Sequence, residues 1–428
     1  IKLYWPVKDE VPLKDGDPLN VELREITLHE KKFELRDYQK KAANAFLGNG
    51  GPGTGYGTIV LPCGAGKTVV GMMLMECLKT NTLIITTNIS AVHQWTAELL
   101  DKTNLSEDEI GEYTGERKCI KPVTIATYQI LTWRSEKNGT YPHFQLFSER
   151  NWGFIIYDEV HLLPAPVFRI TAEIQAIRRA GFTATLVRED GFENHVFSLV
   201  GPKRYDVPWK DLEHLGWIAR SECIEMRIDL PEPQAIEYAS ALPRLKHRIA
   251  SENPAKIPIV VDLVKRFSDD KILIIGQYLE QLFETAKLLQ APVITGKMPF
   301  SQRDKIYSDF KNGDIRVLVV SKVANFAIDL PDASMAIQIS GTFGSRQEEA
   351  QRLGRILRPK KRIARFISVV TRNTEEDFFY ANRQKFLAEQ GYTYRIVKTI
   401  DEIPDFLEEN SCFEAVGFFD ISGGDCDD

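Results

Sequence analysis

Residues 58–68, Thr-Ile-Val-Leu-Pro-Cys-Gly-Ala-Gly-Lys-Thr, constrain this chain more than any other stretch. Thr58 to Leu61 is a β-branched apolar run of the kind that makes a buried strand. A Gly64-Ala65-Gly66 turn follows, and Lys67-Thr68 opens an apolar helical pattern from Val69 to Leu78. Strand, glycine turn and helix in that order aim several backbone N–H groups inward at the positive end of the helix, a cradle for phosphate. Pro62, Cys63, Gly64, Ala65 and Gly66 would line it. Lys67 would reach the outer phosphates, and the Thr68 hydroxyl would ligate Mg²⁺. The full eight-residue pattern begins with Gly, where this chain has Leu61. The flanking strand and helix outweigh that departure over a plain glycine turn, and the stretch reads as a nucleotide phosphate site.

Two further stretches carry charge that suits such a site. Phe154 to Tyr157 is a buried-strand run ending in Asp158-Glu159-Val160-His161. Acids at the carboxyl end of a parallel strand face the same crevice as the phosphate loop. Asp158 would hold Mg²⁺ through water, Glu159 would orient or deprotonate an attacking water, and His161 would hydrogen-bond nearby. Alone, an Asp-Glu pair is as well explained as an acidic helix cap; Lys67 upstream tips the balance. Gln351-Arg352-Leu353-Gly354-Arg355-Ile356-Leu357-Arg358 sets Arg355 and Arg358 on one helical face, with Gln351 one turn before. Two guanidiniums so placed suit clamping of a transferring phosphate. The competing reading is a basic surface helix beside Lys360, Lys361, Arg362 and Arg365.

The 428 residues allow two or three domains. No run of 18 apolar residues suggests a membrane span. Six scattered cysteines without a CxxC pair point to a reduced, intracellular protein. A net charge of −6 argues against nucleic acid coating the whole surface, not against a local basic groove. Residues 1–33 read as an arm or the end of something upstream, the more so without a starting Met, and 411–428 as an acidic tail. Between them, strand-like runs alternate with helical ones in two sets, which predicts α/β architecture with two parallel sheets. The expected strands are Thr82–Thr86, Val123–Thr127, Phe154–Tyr157 and Ala180–Ala184, then Ile272–Ile275, Val293–Thr295, Val317–Ser321, Ala336–Ile339 and Phe366–Val370. Domains are expected at 34–218 and 259–410, with a Pro-rich linker at 219–258.

Weaker features acquire meaning only in company: Gln39 for adenine, the hydroxylated strand end Thr183-Ala184-Thr185, and Ser321-Lys322 through Asp329 for a ribose. In order and spacing the whole set resembles the motifs of a superfamily 2 helicase. More narrowly, the chain resembles the xeroderma pigmentosum group B (XPB) family, through Leu35-Arg36-Asp37-Tyr38-Gln39, Leu61-Pro-Cys-Gly-Ala-Gly-Lys67, Arg188-Glu189-Asp190 and Gly344 to Arg355. The resemblance implies two RecA-like domains and a 3′-to-5′ DNA helicase or duplex translocase driven by ATP with Mg²⁺, opening DNA for repair and, in eukaryotes, transcription. It implies that Arg36, Gln39 and Asp329 serve the nucleotide, and that Arg188, Glu189 and Asp190 aid strand separation. A helical thumb is expected, with 234–252 as its short candidate, and an N-terminal damage-recognition domain is present at most as a stub.

DNA would lie across both domains on strand-end loops: Thr87-Asn88, Thr114-Gly115, Thr127, Gln277 and Ser321-Lys322. A monomer is expected, cytoplasmic if microbial and nuclear if eukaryotic, with a nuclease or repair complex as possible partner. Two rivals stand beside the motor: an RNA helicase or a translocase that never separates strands, and an ATP-gated module that recruits a nuclease.

Overall fold

The computed structural model describes residues 15–50, 54–136, 139–162, 178–184, 200–321, 333–341, 353–354 and 363–404. Two seven-stranded sheets dominate, and every strand pair in them is parallel. The first is ordered β3-β4-β2-β5-β6-β1-β7. Its strands are β1 (Tyr56–Val60), β2 (Thr82–Thr86), β3 (Ile110–Tyr113), β4 (Val123–Thr127), β5 (Phe154–Asp158), β6 (Arg178–Thr183) and β7 (Lys203–Asp206). The second is ordered β10-β11-β9-β12-β13-β8-β14. It consists of β8 (Ser221–Ile228), β9 (Ile272–Gly276), β10 (Val293–Ile294), β11 (Val317–Ser321), β12 (Met335–Gln338), β13 (Ala364–Thr371) and β14 (Tyr394–Val397).

Every residue of β2, β4, β9 and β11 is buried. Strands covered by helices on both faces must be apolar without alternation, which is why runs such as Thr-Leu-Ile-Ile-Thr stand out in the sequence. In the first sheet α1 (Asp37–Leu47), α2 (Lys67–Leu78), α3 (Ile89–Lys102) and the one-turn α4 (Tyr128–Leu131) matter most for function.

Residues 219–258 are not the expected linker. They include β8, which pairs with β13 over eight residues and with β14 on its other side. Its sequence, Ser-Glu-Cys-Ile-Glu-Met-Arg-Ile, hides its depth because the charges are paired in space. Glu225 accepts from Arg227 at 2.6 Å and from Gln384 at 2.9 Å. Residues 234–252, expected as a thumb, fall on the helices Glu232–Ser240 and Pro243–Ser251, of which the first buries none of its residues. Residues 15–33 of the expected arm lie against the first domain, where Val21 is fully buried and Pro18 and Leu23 bridge to Thr80 and Thr103. The tail from 405 onward lies outside the described residues.

The second domain is pinned at the carboxyl ends of β12 and β13 by a buried ion pair. Lys256 Nζ donates to Glu376 Oε1 and Oε2 at 2.6 and 2.7 Å and to the Ile339 carbonyl at 3.0 Å. Glu376 Oε2 also accepts from the Thr371 N–H at 2.9 Å. Removing the ammonium would strand a carboxylate in the interior, so Lys256→Met should lower unfolding free energy by about 3–5 kcal/mol. Equilibrium denaturation checks this, and Lys256→Met with Glu376→Leu should recover most of the loss because no lone charge then remains.

Candidate active site

The carboxyl edges of β5, β6 and β1 form one ledge. Asp158 is level with Phe182, and Thr183 with Val60, so the acidic turn, the Thr183 hydroxyl and the phosphate loop emerge side by side. The loop after β1 turns through Gly64 and Gly66, both at φ +78°, a conformation that costs glycine little. At Gly66 space adds to the requirement, since a Cβ would fall 2.6 Å from Gln39 Nε2. The α2 helix then begins at Lys67, as the sequence predicts.

Lys67 Nζ lies 3.2 Å from Glu159 Oε1, both side chains mostly buried. Burial disfavours the ammonium, yet Glu159, Cys63 and Asp158 outweigh it and raise the Lys67 pKa, so the cation is retained. Glu159 is held in a left-handed backbone conformation, φ +48°, which costs a residue with a Cβ about 1 kcal/mol or more. Its N–H donates to Asp158 Oδ1 at 3.0 Å. His161 is buried, lies 3.5 Å from Glu159 Oε2, and shares a 2.6 Å hydrogen bond with Thr183 Oγ1. Thr183 is thus bonded to a residue of its own domain.

Two partners of Asp158 escape motif reading. Trp95 Nε1–H donates to Asp158 Oδ2 at 3.0 Å, and the Tyr128 hydroxyl donates to the Asp158 carbonyl at 3.0 Å. They come from 63 and 30 positions away, and no local signal marks either. Desolvation, with Glu159 adding to it, lifts the Asp158 carboxyl to about 6 against the opposing pull of Lys67 and Trp95.

Gln39 bridges α1 to the phosphate loop. Its Oε1 accepts from the Arg36 N–H at 2.9 Å and its Nε2 donates to the Ala65 carbonyl at 3.1 Å, beside the Tyr38 hydroxyl at 2.6 Å. Each end of the carboxamide keeps one further hydrogen-bonding position for a base. Arg36 stacks over the Trp217 ring, 4.6 Å from its centroid, and Trp217 lies on the stretch joining the two sheets.

From the second domain, Leu353 is fully buried and Gly354 is seated on the phosphate loop. A Cβ on Gly354 would fall 2.5 Å from Cys63 Cβ and 2.8 Å from its sulfur. Gln351, Arg355 and Arg358 flank these two residues and lie outside the described ones, as do Arg188, Glu189, Asp190, Lys322 and Asp329.

The candidate DNA-contact residues sit at carboxyl ends of strands, but several hydroxyls are already committed. Thr114 Oγ1 accepts from the Glu116 and Arg117 N–H groups. Thr127 Oγ1 caps α4 by accepting from the Ile130 N–H, and Asn88 Oδ1 caps α3 by accepting from the Ala91 N–H. Ser321 is buried, and the Gln277 N–H donates to Ser340 Oγ at 2.9 Å. Gly115 has open space around it and Thr87 is half-buried. Thr114, Thr127 and Ser321 are 2%, 3% and 3% exposed, which leaves their hydroxyls little surface to offer a strand.

The family of the Type III restriction enzyme res subunit matches residues 32–188, and that of the ERCC3/RAD25/XPB C-terminal helicase matches residues 212–415. The DNA 3′-5′ helicase XPB of Kineococcus radiotolerans is 53% identical, over 94% of this chain and 70% of that protein. Its namesake in Mycobacterium tuberculosis is 52% identical, over 94% and 71%. The chain belongs to the XPB helicase family. Within it, the XPB/SSL2 helicase/translocase subunit of general transcription and DNA repair factor IIH from Saccharomyces cerevisiae is 33% identical, over 92% of this chain and 48% of that protein. In fold the chain also resembles S. cerevisiae Dbp5 bound to RNA and ADP BeF3, with TM-score 0.60 at 14% identity over 86% and 90% of the two chains. The Pyrococcus furiosus Hef helicase domain aligns with TM-score 0.53 at 15% identity, over 82% and 98%. The two sheets are therefore RecA-like domains of a helicase core, as the sequence led us to expect. No helix among the described residues is long and apolar enough to cross a membrane.

The raised Asp158 carboxyl has a consequence for stability. Its ionisation cost is absent below the ordinary carboxylate range near pH 4, grows as pH rises toward about 6, and is full above that. Asp158→Asn should therefore melt higher than the parent at pH 7 without nucleotide, and the gap should close at pH 4. Thermal melts at the two pH values check this.

Proposed function

We propose that this chain is an ATP-dependent 3′-to-5′ DNA helicase whose fuel binds between the two domains, on the ledge carrying Lys67, Asp158 and Glu159. The seating of Gly354 on Cys63 supports this reading, because it brings Gly354 of the second domain against the phosphate loop of the first. Gly64 to Lys67 would wrap the phosphates through their N–H groups, and Lys67 would pass from Glu159 to the γ-phosphate. Freed of Lys67, the Glu159 carboxylate would orient the attacking water and take its proton, while the His161–Thr183 bond holds the turn in register. Arg36 and Gln39 would face the adenine, and Asp329 the ribose.

Thr68 and Asp158 would hold Mg²⁺. One hydroxyl and one carboxylate suit a hard cation that completes its shell with phosphate oxygens and water. Bound there, Mg²⁺ supplies charge neutralisation on the β- and γ-phosphates. Arg355 and Arg358 would stabilise the charge of the transferring phosphoryl group, with Gln351 beside them.

Closure around ATP and reopening after hydrolysis would shift the domains along a strand lying over the ends of β2, β3, β4, β9 and β11. Backbone and hydroxyl contacts there read no bases, so binding should be sequence-independent and steeply salt-dependent. Arg188, Glu189 and Asp190 are proposed to aid strand separation, in DNA opening for repair. The helicase would act as a monomer in the bacterial cytoplasm.

Glu159→Gln should keep ATP binding and lose DNA-stimulated turnover by about 10²-fold or more. Survival of repair function in a strain carrying only that variant would instead favour a recruiting module. Turnover compared with duplex DNA, single-stranded DNA and RNA separates the DNA motor from an RNA helicase, and strand displacement separates it from a pure translocase.

A further inference from the structure

Two of the three segments proposed to meet DNA in the first domain send a buried aromatic side chain back to Asp158. Asn88 caps α3, and seven residues along that helix, about 10 Å at 1.5 Å per residue, Trp95 donates its indole N–H to the Asp158 carboxylate. Thr127 caps α4, and the next residue, Tyr128, donates its hydroxyl to the Asp158 carbonyl. The two segments are also joined, since the Gln129 carboxamide N–H donates to the Thr87 carbonyl. Trp95 and Tyr128 are 2% and 3% exposed, so neither can touch a strand itself.

The indole is wedged rather than loosely packed. A Cβ on Gly71 of α2 would fall 2.7 Å from Trp95 Cη2 and 3.4 Å from Ile156 Cδ1 of β5. Any shift of α3 along its axis therefore moves the ring against the helix that starts at Lys67 and the strand that ends at Asp158. Packed interiors of this density pass such displacements on instead of absorbing them. The hydroxyl of Tyr128 acts on the same residue from the other neighbouring segment, through the backbone. A strand pulling on the ends of β2 and β4 thus has two short, rigid routes to one carboxylate.

We propose that Trp95 and Tyr128 are positioning residues, through which a DNA strand seated on Thr87-Asn88 and Thr127 sets the Asp158 carboxylate for Mg²⁺-nucleotide. The inference rests on the DNA-motor reading and adds to it how strand occupancy reaches the hydrolytic ledge. The Thr183–His161 bond reports on a different strand and residue, and is not part of this route.

Tyr128→Phe removes one oxygen at constant shape and is the deciding variant; Trp95→Phe is its companion. Three quantities are read on the whole chain: the ratio of DNA-stimulated to basal ATP hydrolysis, DNA affinity by anisotropy, and the Mg²⁺ concentration giving half-maximal binding of a fluorescent non-hydrolysable ATP analogue with DNA present. The ratio should fall by up to about tenfold, the upper worth of one neutral hydrogen bond, and the Mg²⁺ midpoint should rise. DNA affinity of Tyr128→Phe should stay at the parental value, and its melting temperature should fall by no more than about 2–4 °C. An unchanged ratio in both variants overturns the proposal. So does a loss of DNA affinity equal to the loss of stimulation, which would make these residues part of the DNA seat. A parent whose turnover DNA does not stimulate overturns the motor reading itself, and the relay with it.

Discussion

The approach of Gly354 to Cys63 is the constraint on which the arrangement of this helicase depends. Each RecA-like sheet lies within its own domain, while one cluster of buried apolar side chains runs from Phe46 and Ile156 of the first to Leu273 and Leu353 of the second. What makes a reaction centre is the meeting of the phosphate loop with a segment of the second domain. That meeting is close enough to exclude any side chain at position 354. A Cβ there would have to displace Cys63, and with it the turn that shapes the phosphate cradle. Glycine at 354 is thus a statement about the distance between two domains.

Around that contact the ledge stores charge in tension. Lys67 keeps its proton because three acidic or polarisable neighbours offset burial, while Asp158 pays for the same burial with a carboxyl that resists ionising. A triphosphate and a divalent cation would relieve both, the one by replacing Glu159 as the partner of Lys67, the other by compensating Asp158 directly. The left-handed backbone at Glu159 belongs to the same picture, strain kept at the residue proposed to handle water. The Lys256–Glu376 pair of the second domain differs in that each buried charge there faces its opposite.

Much of the fold was legible because parallel sheets buried on both faces demand unbroken apolar strands. Thr82–Thr86, Val123–Thr127 and Val317–Ser321 have the bounds that the sequence predicts. The strands that escaped reading are of other kinds: β3, β7 and β14 are sheet edges with charged residues, and β8 is internal but carries Glu222, Glu225 and Arg227. Glu222 reaches Arg365 and Arg395, and Glu225 reaches Arg227 and Gln384, partners that only the folded chain supplies. The site divides in the same way. Lys67, Asp158 and Glu159 announce themselves by spacing along the chain, whereas Trp95 and Tyr128 matter through hydrogen bonds to a residue dozens of positions away. Thr114 and Thr127 look available in sequence but are buried, their oxygens accepting from their own turns.

The central claim is that hydrolysis needs a charge delivered from the second domain onto a nucleotide held by the first. Single-turnover ATP hydrolysis by Arg355→Ala in the presence of DNA, set beside the affinity of the same variant for a non-hydrolysable ATP analogue, tests it most directly. The account predicts that affinity stays within a few-fold of the parent while the hydrolysis rate drops by about 10³-fold, the scale of a lost arginine finger. Hydrolysis at the parental rate with the analogue still bound would contradict it.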